Sequence, residues 1–270
     1  MQIYFMRTEE SAANRTRMVA SHIIRLSQPQ DPYAPSHSLP TGADYLALMQ
    51  ANAKFSEVQS ASNRTVDANR DLIGTSLCAL YQAATCHRKC WNTGHVFESL
   101  CGRAHNLGAA AYNLILLGYY DEALNLVRAI GETNNIVLLS VFDKTAFAKW
   151  LQAGKKTRLR EFSPVKVRLL LEAAKDCAPV LADEDWYAEL CEKYVHISAQ
   201  TLPNMHNDKT PVVGGVFQER GMEESLEALG QILAALALLV CRYFQYEDLT
   251  EMLRKHVAKE ASSGDAAAPT

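Results

Sequence analysis

Helical periodicity dominates the pattern of hydrophobic and polar positions along this chain, whereas the strict alternation of a strand is hard to find. Long stretches rich in Ala, Leu, Glu, Arg and Gln alternate with short breaker clusters. The first helices are predicted from Thr8 to about Leu26, from Ala43 to about Ser60, and from Asn63 to about Cys86. The latter two have weak apolar stripes, so we expect them to cover the edge of the core or to contact a partner. The pattern predicts an all-α helical bundle with an N-terminal helical extension.

The clearest helical spacing begins at His95 and continues to Phe142. Apolar residues recur every three or four positions, and Gly118 ends the first helix of this region. Asp121 then places an acid in the first turn of the next helix, where the backbone dipole favours it. The small residues over 108–111 would let a neighbouring helix approach closely. The region is therefore predicted to be an antiparallel helical hairpin at the centre of the fold.

Further helices are predicted beyond the hairpin. Ser163 followed by Pro164 is a helix start signal, and a cluster of acids at 183–185 opens another helix through Tyr194 and His196. A long apolar helix from about 222 to 243 and an amphipathic one to about 260 follow. We divide the chain into an N-terminal helical extension over 1–94, a bundle over 95–260 and a disordered tail over 261–270.

Composition narrows the classes of function. The formal net charge is −3, so broad electrostatic binding to nucleic acid or to an anionic membrane is not expected. The most apolar run, from Ile232 to Val240, is shorter than the roughly 20 residues that span a bilayer, and the first residues lack the pattern of a signal peptide. Seven scattered cysteines do not form a disulfide pattern and indicate reduced thiols. We therefore predict a cytoplasmic protein that does not bind membranes.

Polar residues on the second hairpin helix suggest a first candidate site. Arg128, Glu132 and Asn135 lie at positions i, i+4 and i+7, so they share one face of a mostly apolar helix. Buried charges need partners, because an isolated one costs several kcal/mol. The face is either a polar pocket in the helical core or a structural Arg/Glu pair that holds helices together.

Histidines near the end of a later helix suggest a second candidate site. Tyr194, His196 and Ser198 lie at or near the end of that helix, and His206 lies in the loop beyond. A histidine serves as a general acid or base near neutral pH, and an arginine stabilises charge on a phosphate. Arg128 with His196 or His206 would form a metal-independent ribonuclease site if the fold brings them together. The alternative is a hydrogen-bonded histidine at a helix interface.

Two other clusters carry weaker signals. A polar segment after residue 151 contains four bases that could hold a phosphate backbone, although short basic loops are usually only solvated; they are Lys155, Lys156, Arg158 and Arg160. The stretch CHRKCWNTGH offers nitrogen and sulfur ligands from Cys86, His87, Cys90 and His95. No second Cys pair or HxxxH completes a zinc pattern, so we predict neither a metal nor a cofactor.

Two segments together resemble uncharacterised bacterial helical proteins of the HEPN-like superfamily. They are RAHNLGAAAYNLILLGYYDEALNLVRAIGETNNIVLLSVFD and ELCEKYVHISAQTLPN. The resemblance implies a compact helical bundle, a homodimer and, in active members, a metal-independent RNase that often acts in defence or toxin-antitoxin systems. It also implies that Arg128 and Glu132 match one conserved-type helix, and Tyr194 and Ser198 the other. We take Arg128, Glu132, Tyr194 and His196 as the candidate catalytic residues.

One departure from that family's pattern bears on activity. Leu202 precedes Pro203 where the pattern has a histidine, which leaves His196 and His206 as displaced substitutes. A competing resemblance, of LGYYDEAL to a tetratricopeptide-type helix pair, occurs only once, whereas a solenoid needs about three repeats. Two functions of different class therefore stay open. One is a HEPN-like RNase of a bacterial or phage conflict system, and the other is a noncatalytic module that binds a partner protein.

Overall fold

The computed structural model describes residues 42–88, 90, 94–174, 181–198, 201–207 and 211–264. The predicted helix from Thr8 to Leu26, most of the proline-rich segment and the last six residues lie outside these ranges. The described residues form ten helices and no strand, as predicted for an all-α bundle. They are α1 Ala43–Ala61, α2 Arg64–Ala84, α3 Val96–Leu116, α4 Tyr120–Phe142, α5 Lys144–Gln152, α6 Lys155–Glu161, α7 Pro164–Glu172, α8 Glu184–Tyr194, α9 Glu219–Phe244 and α10 Glu247–Gly264.

Helix α9 forms the centre of the bundle. It packs against α2, α3, α4 and α10, and its buried face is lined mainly by leucine, isoleucine, alanine and methionine. This helix is long and apolar enough to cross a membrane, but most of its apolar stretch is buried inside the bundle. The burial is that of a helix at the core of the bundle.

The hairpin of α3 and α4 confirms the prediction from its spacing. Gly118 joins the two helices with φ +82°, and a side chain at this position would meet the backbone of Val216 at 2.6 Å. Gly108 on α3 lies against Leu77 and Leu233, where a Cβ would approach within 2.9 and 3.0 Å. The small residues therefore permit the close packing of α3 between α2 and α9.

Helix α2 differs from its prediction. It was expected at the edge of the core, yet it packs extensively against α9 and contributes buried side chains to the main core; these include Leu72, Ile73, Ala79, Leu80 and Ala83. The stripe was hard to recognise because alanines supply much of it, alongside many polar residues on the other face. Helix α1 does lie at the edge, because it packs mainly against α3 and contributes no apolar side chain to the core.

A smaller core holds α5 and α7 against the end of α4. Phe147 of α5 and Leu171 of α7 pack with Leu139 at the end of α4. The segment between α5 and α7 was predicted to be a loop but forms the short helix α6, which buries no residue. Helix α7 begins as predicted, with Ser163 at the N-cap position and Pro164 in the first turn. Helix α10 continues to Gly264, past its predicted end at Glu260.

Candidate functional site

Arg128 lies in a hydrogen-bonded network between α4 and α8. Its guanidinium donates to Glu132 Oε1 at 2.7 Å and to the hydroxyl of Tyr187, and its Nε donates to Cys191 Sγ at 3.1 Å. The Tyr187 hydroxyl in turn donates to Glu132 Oε1 at 2.8 Å. The Arg128 side chain is 18% exposed. Arg128 thus bonds to three side chains and joins α4 to α8.

Tyr187 is enclosed by two arginines, and sequence analysis missed both it and the second arginine. Arg128 lies over its ring at 4.7 Å from the centroid, and Arg168 of α7 at 4.6 Å. Arg168 is only 5% exposed, and its Nη1 has no hydrogen-bond partner among the described residues. A sequence signal existed, because Arg168 adjoins Val167 in the apolar stripe of α7.

The network shifts the ionisation of its members. Burial disfavours the charged form of Arg128, but its bonds to Tyr187 and Cys191 outweigh this and raise its pKa. Burial and the hydrogen bond to Glu132 raise the pKa of Tyr187. Tyr187 therefore stays protonated and Arg128 stays charged at neutral pH, so neither group exchanges protons readily there.

Tyr194 and His196 line a separate groove of about 1410 Å³ that also contains His206. The groove lies along α8 and the loop that follows it, and it reaches the first turns of α4 and α9. Cys191 contacts both this groove and Arg128, whereas Arg128 and Glu132 do not line it. His196 is exposed, and no hydrogen bond among the described residues joins Arg128 to His196 or His206. The four predicted catalytic residues are thus divided between a network and a groove.

His206 is clamped between two carboxylates at the end of this groove. Its Nε2 lies 3.0 Å from Asp121 Oδ1, its Nδ1 lies 3.5 Å from Glu224 Oε2, and its side chain is 4% exposed. Its ring contacts those of Tyr120 and Tyr194. Burial and the nearby carboxylates raise the pKa of Tyr194 to about 12. Two carboxylates and two aromatic rings therefore surround the His206 ring.

The loop before α9 positions Asp121 through a cap formed across the chain. Asn204, at φ 45°, accepts hydrogen bonds from the backbone N–H groups of Tyr120 and Asp121 through Oδ1, at 3.1 and 3.3 Å. Its own N–H donates to Asp121 Oδ2 at 2.6 Å. These bonds satisfy N–H groups that the first turn of α4 would leave unpaired. The cap therefore fixes Asp121, and through it His206.

Acidic residues dominate the lining of the groove. Five carboxylates face it against two cations; the acids are Asp121, Asp185, Glu189, Glu192 and Glu224. The two cations, Lys193 and Arg220, pair with Glu189 and Glu224 at 2.6 and 2.7 Å. The groove therefore has an excess of negative charge, which opposes the approach of a phosphate backbone.

The opposite charge collects on α5 to α7. Residues 143–172 contain eight lysines and arginines against three acids. Lys155, Lys156, Arg158 and Arg160, the predicted nucleic-acid contacts, are all exposed on α6. Of these, Arg160 pairs with Glu161 at 2.5 Å. This surface can attract an anion electrostatically, but it forms no enclosed site.

A third cluster brings together two cysteines and a histidine at the turn from α2 to α3. The ligand atoms of Cys86, Cys90 and His95 all lie within 4.8 Å of one another. Glu98 lies beside them, with Oε1 at 3.5 Å from His95 Nδ1. The sequence offered Cys86, His87, Cys90 and His95 as possible ligands, but no metal was predicted because no second Cys pair or HxxxH completed a zinc pattern.

No family model, curated protein or solved structure matches this chain.

Proposed function

We propose that this protein is a noncatalytic helical module that binds a partner protein through its acidic groove. The division of the predicted catalytic residues carries this proposal. An Arg/His nuclease needs both groups within hydrogen-bonding reach of one reacting phosphate. Arg128 is instead engaged by Glu132, Tyr187 and Cys191, and the histidines line a groove that Arg128 does not line.

The charge of the groove indicates the chemistry of the partner. The acids Asp185 and Glu192 lie along its wall, and the ion pairs of Lys193 and Arg220 leave carboxylates in excess. Complementary charge speeds association and selects among partners. We therefore expect a segment rich in lysine or arginine to bind here.

Incubation with RNA tests the absence of catalysis. Purified protein is mixed with total RNA and a tRNA pool in EDTA, alongside Arg128→Ala, His196→Ala and a control, Arg103→Ala, which changes an exposed arginine of α3. The proposal predicts no cleavage by folded wild-type protein. Cleavage that Arg103→Ala retains, and that Arg128→Ala and His196→Ala lose, would contradict it.

A charge-reversal pair tests the groove itself. We expect a fluorescent arginine-rich peptide to bind the wild type, with an affinity that falls as salt rises. Reversing Asp185 and Glu192 to lysine should weaken binding about tenfold or more, whereas Asp71→Lys, at an exposed position outside the groove, should have little effect. Equal loss in both variants would show nonspecific attraction and reject the groove as the binding site.

The HEPN-like RNase of a bacterial or phage conflict system is the second candidate. One observation favours it: Arg168 is buried against the ring of Tyr187, which Arg128 also contacts, and its Nη1 has no partner among the described residues. In this alternative, RNA binds across Lys155, Lys156, Arg158 and Arg160, and a cytoplasmic homodimer completes the site. The RNA assay decides its activity, and light scattering in solution decides the dimer.

A further inference from the structure

The turn between α2 and α3 places three metal-ligating side chains close together. Cys86 follows the C-terminal end of α2 with φ 52°, and His95 precedes α3 with φ 50°. Both residues therefore adopt the left-handed conformation that ends or begins a helix sharply. Cys90 lies midway between them. The two helix ends, rather than the sequence spacing alone, bring the ligands together.

An ion pair holds this turn against α10. Arg88 donates to both carboxylate oxygens of Asp248, at 2.5 and 2.8 Å, and its guanidinium lies over the ring of Tyr246 at 4.8 Å. Bidentate pairing fixes both the distance and the orientation of an arginine. Since Arg88 lies between Cys86 and Cys90, the same contact restrains the segment that carries the two thiols.

The spacing of the ligand atoms fits a tetrahedral metal. Cys86 Sγ lies 3.8 Å from His95 Nδ1. Zinc bonds of about 2.3 Å to sulfur and about 2.0 Å to nitrogen place tetrahedral ligand atoms roughly 3.5–3.8 Å apart. The limit of 4.8 Å for the whole set requires only a small contraction on binding.

Glu98 supplies an independent observation that points to a cation. Its side chain is 6% exposed on the first turn of α3, and its carboxylate lies 3.5 Å from His95 Nδ1. A buried carboxylate is costly unless a positive charge or hydrogen-bond donors compensate it. A cation held by Cys86, Cys90 and His95 would compensate it, and the carboxylate, which lies outside the 4.8 Å group of those three ligand atoms, would move toward the ion as a fourth ligand.

We propose that Cys86, Cys90, His95 and Glu98 bind one Zn²⁺ ion. Two thiolates, an imidazole and a carboxylate form a ligand set that zinc prefers, whereas calcium and magnesium prefer oxygen ligands. All four positions of a tetrahedron are then occupied by protein, which is the arrangement of a structural zinc site. The ion joins the end of α2 to the start of α3 and fixes the turn.

Metal analysis tests the site in the full-length chain. Protein kept under reductant is dialysed against zinc and analysed by elemental mass spectrometry, and affinity is measured by competition with a chromogenic chelator. We expect one zinc per chain. Cys90→Ser should weaken binding at least about 100-fold, and Cys78→Ser, at an exposed cysteine of α2 outside the cluster, should leave it unchanged.

Cobalt and Glu98→Gln define the ligand set. Cobalt in the wild-type site should show the intense visible bands of a tetrahedral ion with thiolate charge-transfer absorption, and Cys90→Ser should weaken these bands, because only the Cys86 thiolate would remain. Glu98→Gln should weaken zinc binding about 10- to 100-fold. Unchanged circular dichroism separates these effects from misfolding. Substoichiometric zinc, or binding that Cys90→Ser and His95→Asn leave intact, would overturn the proposal.

Discussion

Two histidine clusters lie in the part of the chain that the structure describes, and they differ in how completely the protein satisfies their hydrogen bonds and charges. His206 is 4% exposed between Asp121 and Glu224, and a capping loop fixes its surroundings. His95 is half exposed and faces two thiols and a buried carboxylate, with no lysine or arginine at hydrogen-bonding distance among the described residues. The first cluster has its partners within the chain, while the second has the composition of a site that takes a cation from outside.

The difference separates a structural polar network from a binding site. A buried network whose members are all paired makes a structure rigid and needs nothing further. In the second cluster the buried Glu98 carboxylate lies 3.5 Å from the half-exposed His95 imidazole, and a bound cation would add charge compensation there. Burial and charge balance thus indicate that the cation-binding site is the His95 cluster, although His206 has the more enclosed position.

Replacing each histidine with asparagine should give the largest contrast. His206→Asn removes the group that separates Asp121 from Glu224, so we expect a loss of about 2–3 kcal/mol in the free energy of unfolding. In metal-free protein, His95→Asn should change it by less than about 0.5 kcal/mol, because the position is exposed and asparagine tolerates positive φ. Urea unfolding measures both. Equal losses would remove the distinction between the clusters.

Filling space beside His206 should have a smaller effect. A Cβ at Gly221 would lie 2.7 Å from Tyr120 Cδ2 and 3.0 Å from His206 Cβ, so Gly221→Ala should cost about 1–2 kcal/mol. The control is Gly74→Ala on α2, where a Cβ meets nothing within 4 Å; it should stabilise the protein by up to about 1 kcal/mol through helix propensity. A stabilising Gly221→Ala would indicate a looser His206 cluster than these distances describe.

The restraint on the His95 turn should be weaker and sensitive to salt. Arg88→Ala removes a partly exposed ion pair with Asp248, and we expect a loss of about 1 kcal/mol at low salt that decreases in concentrated NaCl. Lys54→Ala, which removes an exposed helical pair with Glu57, is the comparison and should lose less. Thermal unfolding at two salt concentrations measures both. A salt-independent loss would instead assign the effect to the contact of Arg88 with Tyr246.

The smallest expected effect is the contribution of Glu224 to the pH dependence of the free energy of unfolding. Burial raises the pKa of Glu224, but hydrogen bonds from Arg220 and His206 lower it overall below its ordinary value of 4.5. Its ionised form therefore stabilises the fold above that pH, and this contribution is lost as the pH falls through the lower, folded-state pKa. In Glu224→Gln, the free energy of unfolding should fall less steeply as the pH drops below 4.5. The difference from the wild type should be less than about 1 kcal/mol, because the side chain is 44% exposed. Glu57→Gln is the control, and an unaltered acid limb in Glu224→Gln would contradict the ion pair.

Local signals account for the elements that could be predicted. Gly118, the Ser163-Pro164 pair and Asp183 each mark a helix boundary within a few residues, and all three mark one in the structure. The core position of α2 was missed because it depends on packing against α9, far along the chain. The basic segment gave no signal for α6, since its helix buries nothing.

In the candidate sites, too, local contacts could be predicted from the sequence and contacts between distant residues could not. Asp121 and His206 are 85 residues apart, so only the folded chain brings them together. The Arg128–Glu132 pair was readable from its i, i+4 spacing, but the enclosure of Tyr187 by Arg128 and Arg168 was not. Glu98 was within reach of sequence reasoning, because it lies three residues after His95 on one helix face.

Nitrogen-15 NMR of the histidine rings during a zinc titration tests the contrast most directly. Assignments come from His95→Asn and His206→Asn, and the protein is kept under reductant. We expect one equivalent of zinc to move the nitrogen-15 chemical shifts of the His95 ring to metal-bound values, while the His206 signals stay in place. A zinc-induced shift at His206, or no shift at His95, would contradict it.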